Sequence, residues 1–462
     1  MKLWKVIKPA GLGAIMLLAF TLSLPGCGGG GSSTSTYTVT ATVYGGNGII
    51  SPDSAMVDEG STASFTVTAD ANYIIDSVSG CDGTLVDLTY ITGAITADCT
   101  VSVRFVAAPL VFSDGQNASV VIGEADFNTS TGGTTQSLIK GVWGNADVID
   151  GVLYLSDYTN SRVLGFNTIP TSNGASADFV LGAADFTSVG TLTSPQTVAD
   201  YNGALYVVRC NGVNLIDVYN TIPTADTTAP IAATPQTADF QITAALAGGL
   251  NNPETMSVAG GKLVVADALN NRVLIWNSVP TSDTAPDLVL GQVDFSGTDF
   301  NAGVSPTAST LTYTDGIWTD GTRLVLTDGD NHRVLIWNTF PDSNAQPADR
   351  VLGQTDFNSA ASNQGLSAPT ASTLSSPYGV YVHGNQLFVA DNGNKRVLIW
   401  NSWPTADDQA ADVVLGQADF VTVTNGPTQS LMVGPTGLYL SGTQLIVSEG
   451  YGNRYLVFDG HY

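Results

Sequence analysis

Residues 263–276 have the sequence Leu263-Val-Val-Ala-Asp-Ala-Leu-Asn-Asn-Arg-Val-Leu-Ile-Trp276, in which two apolar segments flank a polar turn. Each segment is short and rich in β-branched residues, which predicts two strands joined by a tight connection. The phrase recurs at Leu153 to Phe166, Leu324 to Trp337, Leu387 to Trp400 and Leu445 to Phe458, with a worn copy from Leu205 to Tyr219. Self-similarity at a period of roughly 60 residues indicates a repeat protein.

Two further phrases recur with the same period. The first is an exit from a strand that ends in proline, where no ladder donor is needed; it occurs at Asn167 to Pro170, Asn220 to Pro223, Asn277 to Pro280, Asn338 to Pro341 and Asn401 to Pro404. The second is a strand that we expect to end in Asp-Phe, with six copies at Asp126-Phe127, Asp185-Phe186, Asp239-Phe240, Asp294-Phe295, Asp356-Phe357 and Asp419-Phe420.

The order of these phrases predicts how the repeats close. The first Asp-Phe strand, Ser119 to Phe127, precedes the first complete repeat, and the last repeat ends at Phe458 without such a strand. We therefore expect the N-terminal strand to complete the C-terminal unit, which removes the exposed sheet edges of an open array. The sequence predicts an all-β protein whose residues 109–462 form a six-bladed β-propeller.

The repeat also resembles a known family. Asp-x-x-x-Asn-Arg, the apolar strand after it and a preceding Pro-x-Gly-Val, as in Pro377 to Val380, are similar to NHL repeats, and the likeness covers all six units. The resemblance implies a six-bladed propeller. It implies no single function, because that family includes receptors, scaffolds, RNA binders and a lyase. The worn second repeat departs from the family pattern, since Arg209 stands where the others have an acid.

Composition and charge agree with an exported all-β chain. The 462 residues include 50 Gly and 20 Pro and are only 12% charged, which suits many short strands and tight turns. The net charge is −25, and loss of three lysines with the export segment leaves 12 of the 15 basic residues against 40 acidic ones. Such a field repels phosphate backbones, so we expect no nucleic-acid partner. The negative charge could serve solubility alone, or it could attract a cationic partner.

The N-terminus resembles a bacterial lipoprotein signal. Lys2, Lys5 and Lys8 precede an apolar segment, and a small-residue site ends at Cys27. The resemblance implies a signal peptide at 1–26, lipid on the Cys27 thiol and a membrane anchor; Pro25 is an unusual residue at that site. Gly28 follows where an aspartate would retain the protein at the inner membrane, so outer-membrane or cell-surface display is expected. An ordinary signal peptide cut nearby is the alternative.

A flexible Gly/Ser/Thr tether at 27–36 leads to a small β domain at 37–108. Strand-like alternation at Tyr37 to Val43, Ser64 to Thr68 and Val101 to Phe105 predicts this domain, which is similar to divergent B-repeat modules of internalin-related surface proteins. The likeness implies display. Cys81 and Cys99 are expected to form a disulfide in an oxidising compartment, and Cys210 is expected to be a buried free thiol or, less simply, a reactive one.

Acid and arginine recur together in five repeats, as Asp157 with Arg162, Asp267 with Arg272, Asp328 with Arg333, Asp391 with Arg396 and Glu449 with Arg454. We call these acids the turn acids. A residue that serves catalysis is needed once, whereas a carboxylate that accepts turn amides and an arginine that bridges to it are needed in every unit. We therefore interpret these pairs as structural.

Positions that differ between repeats are the better candidates for function. Thirteen residues before each turn acid, or before Arg209, stand Gly144, Gln196, Glu254, Asp315, Tyr378 and Thr436. We expect them to precede the inner strands and to surround one mouth of the propeller channel, as candidate ligand-binding residues. Exposed loop residues without a ligand are the alternative.

Metal and nucleophile chemistry have less support. Glu254 and Asp315 could coordinate calcium, as the acidic centre of lactonase-like propellers does; no other cofactor is expected. His332, His383 and His461 show no ligand spacing, which argues against a zinc lyase. No nucleophile motif or phosphate loop is present. Trp143, Trp318 and Trp403 depart from the repeat and could line a carbohydrate or peptide surface, although blade packing is the alternative.

The sequence thus predicts a monomeric, lipid-anchored binding or scaffold protein that presents one propeller face to a protein or polysaccharide partner, without catalysis. A calcium-dependent hydrolase or lyase at the channel mouth, working through Glu254 and Asp315, is the alternative. A purely structural envelope protein is a third reading.

Overall fold

The computed structural model describes residues 35–222 and 237–462. The predicted signal peptide, the lipidation site Cys27, most of the tether and Pro223 lie outside the described residues. The described chain forms two compact units, one of residues 35–68 and 75–104 and the other of residues 69–74 and 105 onward. Both units are built from β-strands, so the predicted fold class is confirmed as all-β.

The smaller unit contains two four-stranded sheets. One has the strand order Ser54–Asp58, Thr36–Tyr44, Cys99–Ala107, Tyr73–Ser79, and the other Gly48–Ser51, Ser64–Ala69, Thr89–Ile91, Thr84–Val86. Alternation along Ser64–Ala69 buries Phe65 and Val67 and turns their neighbours to solvent, the period of two that a half-buried strand requires. Cys81 and Cys99 form the predicted disulfide.

The larger unit contains six four-stranded antiparallel sheets within the described residues, which we number 1 to 6 along the chain. Their strands, in order, are Asp147–Ile149, Val152–Asp157, Arg162–Phe166 and Phe179–Leu181; Pro195–Tyr201, Ala204–Arg209, Leu215–Tyr219 and Phe240–Ile242; Pro253–Ala259, Lys262–Asp267, Arg272–Trp276 and Leu288–Leu290; Ile317–Thr319, Leu324–Asp328, Arg333–Trp337 and Arg350–Leu352; Pro377–His383, Gln386–Asp391, Arg396–Trp400 and Val413–Leu415; Pro435–Ser441, Gln444–Glu449, Arg454–Asp459 and Val120–Ile122.

Sheet 6 joins the two ends of this unit. Its outer strand is Val120–Ile122, which pairs antiparallel with Arg454–Asp459 through Ile122 opposite Tyr455. The N-terminal strand therefore completes the C-terminal sheet, as the order of the repeated phrases predicts. The pairing leaves no unmatched half-repeat at either end.

Neighbouring sheets are in contact, and sheet 6 returns to sheet 1. The Leu438 amide donates to Asn145 Oδ1 at 3.0 Å, Ser448 Oγ to the Gly144 carbonyl at 2.8 Å, and Tyr455 Oη to the Ser156 carbonyl at 3.1 Å. Each sheet is covered on both faces, which is why strands such as Arg272–Trp276 are fully buried and, after Arg272, apolar instead of alternating. The first strands of all six sheets line one central cavity of about 230 Å³.

The expectation that the outer strands end in Asp-Phe is wrong. The predicted strand from Ser119 to Phe127 is only Val120–Ile122, because Gly123 follows with φ 94°, a conformation that glycine adopts without strain. Asp126 then lies in a turn, where its Oδ1 accepts the Asn128 amide at 2.8 Å. Asp239 is not an equivalent copy: it precedes its strand and accepts the Asn220 amide, so five copies are equivalent and not six.

Short 3₁₀-helices occupy many of the connections: Ala245–Ala247, Ala268–Asn270, Phe300–Gly303, Gly329–Asn331, Ser362–Gly365, Asn392–Asn394 and Gly450–Gly452. Four of them follow a turn acid and end on a left-handed residue, for example Asn271 with φ 52°, which directs the chain into the next strand. Across residues 35–222 and 237–462, no helix has the length and apolar character needed to cross a bilayer.

The repeated acid–arginine pairs flank the turns between the second and third strands of these sheets and are buried. Arg333 Nε donates to Asp328 Oδ2 at 2.8 Å, and both side chains have no solvent exposure. The same arginine donates to the carbonyl of Phe357, the phenylalanine of the Asp-Phe turn. Four equivalent pairs repeat this geometry at 2.5–2.8 Å. The strand–turn–strand phrase and the Asp-Phe phrase are thus parts of one hydrogen-bonded unit.

Sheet 2 contains a different ion pair in place of the turn acid and its arginine. Arg209 replaces the turn acid and pairs with Asp217 on the next strand at 2.8 Å, with 13% of the arginine side chain exposed. Cys210 follows it as the predicted buried free thiol. Burial raises the pKa of that thiol to about 12, so it stays protonated and is not a reactive nucleophile at neutral pH.

Candidate ligand-binding site

Five of the six predicted mouth residues are buried and Tyr378 is half-buried, and not all six precede the inner strands. Gly144 and Asp315 lie before the first strands of sheets 1 and 4, whereas the other four are the second residues of their strands: Gln196, Glu254, Tyr378 and Thr436. In each of these four sheets the pairing register between the first and second strands shifts next to the predicted residue, for example between Pro253 and Met256. Such a β-bulge redirects a side chain, and this is why counting along the chain misplaces these residues relative to the strand start.

Glu254 is the most fully bonded acid of the group. Tyr313 Oη donates to Glu254 Oε1 at 3.1 Å, Asn252 Nδ2 donates to the same oxygen, and Gln196 Nε2 donates to Oε2. The carboxyl is only 8% exposed. Burial raises the pKa of Glu254 to about 7, against the three hydrogen bonds, which lower it.

Asp315 differs from Glu254 because it has charge neighbours but no donors. It is 6% exposed, and neither of its carboxylate oxygens has a hydrogen-bond partner among the described residues. Burial raises the pKa of Asp315 well above its ordinary value, and the negative charges of Glu254, Asp330 and Asp328 raise it further. A buried carboxyl in this state is costly unless something binds it.

Two tyrosines complete the site. Burial raises the pKa of Tyr313 and of Tyr378, and the charges of Glu254 and Asp315 act in the same direction, so both phenols stay protonated. A cavity of about 190 Å³ opens here. Its lining is Tyr313, Asp315, Gly329, Asp330, Ser376 and Tyr378. We call Gln196, Glu254, Tyr313, Asp315 and Tyr378 the acidic site.

Other predicted positions lie apart from the acidic site or are engaged in packing. Thr436 Oγ1 donates to the Val142 carbonyl at 2.8 Å, which ties sheet 6 to sheet 1. The Gly144 carbonyl accepts a hydrogen bond from Ser448 Oγ, which also joins sheet 6 to sheet 1. The three non-repeat tryptophans share no surface: Trp143 packs edge-on against Tyr451, while Trp318 and Trp403 hold the Arg323 guanidinium between them.

Asn252, Tyr313, Asp330 and Ser376 are functional candidates that the sequence reading missed. Asn252 and Tyr313 each lie two residues before a predicted acid, so the same counting from the turn acid would have reached them. Asp330 follows the turn acid of sheet 4 by two residues and could be mistaken for a variant of the common turn.

The described residues hold no cluster of three or more His, Cys, Asp or Glu side chains arranged for a metal ion. Calcium on Glu254 and Asp315 therefore stays a prediction. His332 Nδ1 accepts the Ser376 amide at 2.9 Å, so this histidine supports the cavity wall through the backbone. Burial lowers the pKa of His332, which keeps the ring neutral.

Comparison with known proteins adds little. No protein-family model and no curated protein matches the sequence. A structural genomics protein of unknown function from Bacteroides thetaiotaomicron VPI-5482 superposes with a TM-score of 0.44 at 14% identity, covering 87% of this chain and 95% of that chain. A luciferin-regenerating enzyme gives 0.39 at 14% identity, covering 74% and 95%. Scores this low support no inference about fold or function.

Proposed function

We propose that the chain is an exported, lipid-anchored binding protein in which an NHL-like six-bladed β-propeller takes a positively charged ligand at the acidic site. The signal peptide, the lipid on Cys27 and display at the outer membrane rest on the sequence alone. The B-repeat-like domain at 37–108 would hold the propeller away from the membrane and towards a protein or polymer partner.

The arrangement of the sheets supports the propeller architecture. Six antiparallel sheets follow one another, each with its first strand at one central cavity, and sheet 6 contacts sheet 1 through Leu438 and Asn145. Burial on both faces of each sheet agrees with blades packed face to face. Completion of sheet 6 by Val120–Ile122 agrees with closure by the chain ends.

One observation supports binding more than any other: Asp315 is buried, surrounded by other acids and without a hydrogen-bond donor among the described residues. A polar group in this state costs on the order of 1–3 kcal/mol of folding free energy. Structures that retain such a cost commonly do so where a ligand later supplies the missing partner. A ligand with positive charge would offset the neighbouring negative charges, and its hydrogen-bond donors would supply the partners that Asp315 lacks.

A calcium-dependent hydrolase or lyase is the second candidate. Glu254, with a pKa of about 7, has the proton affinity of a general base at neutral pH, and Tyr313 orients its carboxyl. The donor-free oxygens of Asp315 and Gln196 fit a hard cation, which takes oxygen ligands only. Calcium bound there would polarise a substrate carbonyl or phosphoryl oxygen. Glu254 already accepts three hydrogen bonds, so Asp315 would hold the ion and Glu254 would move the proton.

Calorimetric titration with calcium chloride separates the two candidates, on the wild type, on the double variant Glu254→Gln, Asp315→Asn, and on Asp200→Asn as a matched exposed acid. The hydrolase requires calcium uptake that the double variant loses and Asp200→Asn keeps, together with calcium-dependent cleavage of a lactone or ester panel. Absence of uptake in the wild type, or uptake that the double variant keeps, removes the hydrolase. The binding function is contradicted when neither calcium nor an organic ammonium gives a heat that the double variant loses.

A further inference from the structure

The acidic site presents acceptors that need donors. Asp315 Oδ1, Asp315 Oδ2 and Gln196 Oε1 are buried and have no hydrogen-bond partner among the described residues. Gln196 Nε2 donates directly to Glu254, and the negative charge of Glu254 acts on Asp315. Acceptors alone cannot satisfy one another. A ligand for this site must bring several donors.

Charge restricts the ligand further. Asp315 and Asp330 line the cavity, the negative charge of Glu254 acts on Asp315, and the described lining includes no lysine or arginine. The nearest turn arginine of sheet 4, Arg333, is already paired with Asp328 and donates to three carbonyl groups. An anionic ligand would be repelled, whereas a cationic ligand would stabilise the ionised forms of these acids, which burial disfavours.

The shape of the cavity favours an organic cation over a bare ion. Its volume of about 190 Å³ equals that of roughly six water molecules at ~30 Å³ each. Calcium needs six to eight oxygens at about 2.3–2.6 Å, whereas the oxygens of Glu254 are already occupied by donors. Tyr313 and Tyr378 supply aromatic surface, which suits methylene groups and cations.

We propose that the acidic site binds a primary ammonium group on a short aliphatic chain. The three N–H donors of the ammonium would meet the donor-free oxygens of Asp315 and Gln196, and the methylene groups would lie against Tyr313 and Tyr378. This inference rests on the proposed function that the site binds a positively charged ligand. A free amine and a lysine side chain of a partner protein share this chemistry.

Calorimetry at fixed ionic strength with n-butylammonium chloride tests the inference, with 1-butanol, tetramethylammonium chloride and calcium chloride as comparison probes. We expect saturable binding of n-butylammonium, at least tenfold weaker binding of butanol and of tetramethylammonium, and at least a tenfold loss in Asp315→Asn. Asp200→Asn should bind as the wild type does. Tyr378→Leu, which removes aromatic surface and leaves Asp315 intact, should weaken binding several-fold.

The outcomes separate this inference from the proposed function. Equal binding of butanol, or n-butylammonium binding that survives Asp315→Asn, overturns the ammonium assignment. Calcium or tetramethylammonium binding that Asp315→Asn abolishes, without n-butylammonium binding, overturns the inference and leaves the function standing. No heat with any cation overturns both. A lysine-containing pentapeptide and spermidine, titrated in parallel, tell a protein partner from a free amine by which binds more tightly.

Discussion

The turn acids and the acidic site are two sets of buried carboxylates in the same six sheets. Asp328 is paired with Arg333 and also accepts the Thr312 amide at 2.7 Å, whereas Asp315, thirteen residues earlier, has no donor among the described residues. The first arrangement recurs in five sheets and the second occurs once. Repetition with complete hydrogen bonding indicates a structural role, and a single incompletely bonded acid indicates a ligand.

The largest effect should follow from removing the strand that contains Arg454 and pairs with the N-terminal strand. Deleting residues 454–462 takes Arg454–Asp459 out of sheet 6 and leaves Val120–Ile122 without a partner. We expect loss of the cooperative thermal transition of the larger unit, measured by circular dichroism, since exposed edges and a lost core cluster act together. An unchanged melting curve would reject closure of the sheets by this route.

The next largest effect is the loss of unfolding free energy when a turn arginine is replaced, which we compare between Arg333 and Arg209. Arg333→Met leaves Asp328 buried without its cation, which should lower the free energy of unfolding by about 3–5 kcal/mol. Arg209→Met in sheet 2 removes a partly exposed pair and should cost about 1–2 kcal/mol. Urea unfolding measures both variants. Equal costs would show that burial and repetition do not set the value of these pairs.

Much of the fold could be predicted from the sequence, for identifiable reasons. The turn phrase around Asp267 and Arg272 repeats because every sheet needs it, so comparison within one chain replaces an alignment. The Asp-Phe strands were misplaced because the pattern shows an apolar run but not the left-handed glycine at Gly123 that ends it. Asp239 was wrongly matched because an Asp also precedes the outer strand in sheets 1, 3, 4 and 5, as Asp178 does before Phe179–Leu181.

The candidate site was predictable only in part. Glu254 and Asp315 stand out because they break the repeat, and Gln196 and Tyr378 share their position. Thr436 occupies the same register but bonds to the Val142 carbonyl, so position alone does not decide which side chains meet. Asn252 and Tyr313 could have been reached by counting, but their hydrogen bonds to Glu254 are what assign them to the site, and the repeat pattern does not show these bonds.

The central claim is tested most directly by thermal unfolding of Asp315→Asn and Asp328→Asn without ligand, at pH 5 and pH 8. Because burial raises the folded-state pKa of Asp315, the contribution of Asp315 to wild-type stability falls as pH rises above the ordinary value of 3.8. Asp315→Asn removes that loss, so it should raise Tm, more at pH 8 than at pH 5, by the equivalent of about 1–3 kcal/mol. Asp328→Asn leaves Arg333 unpaired and should lower Tm at both pH values. A lower Tm for both variants would contradict the assignment of Asp315 to a ligand.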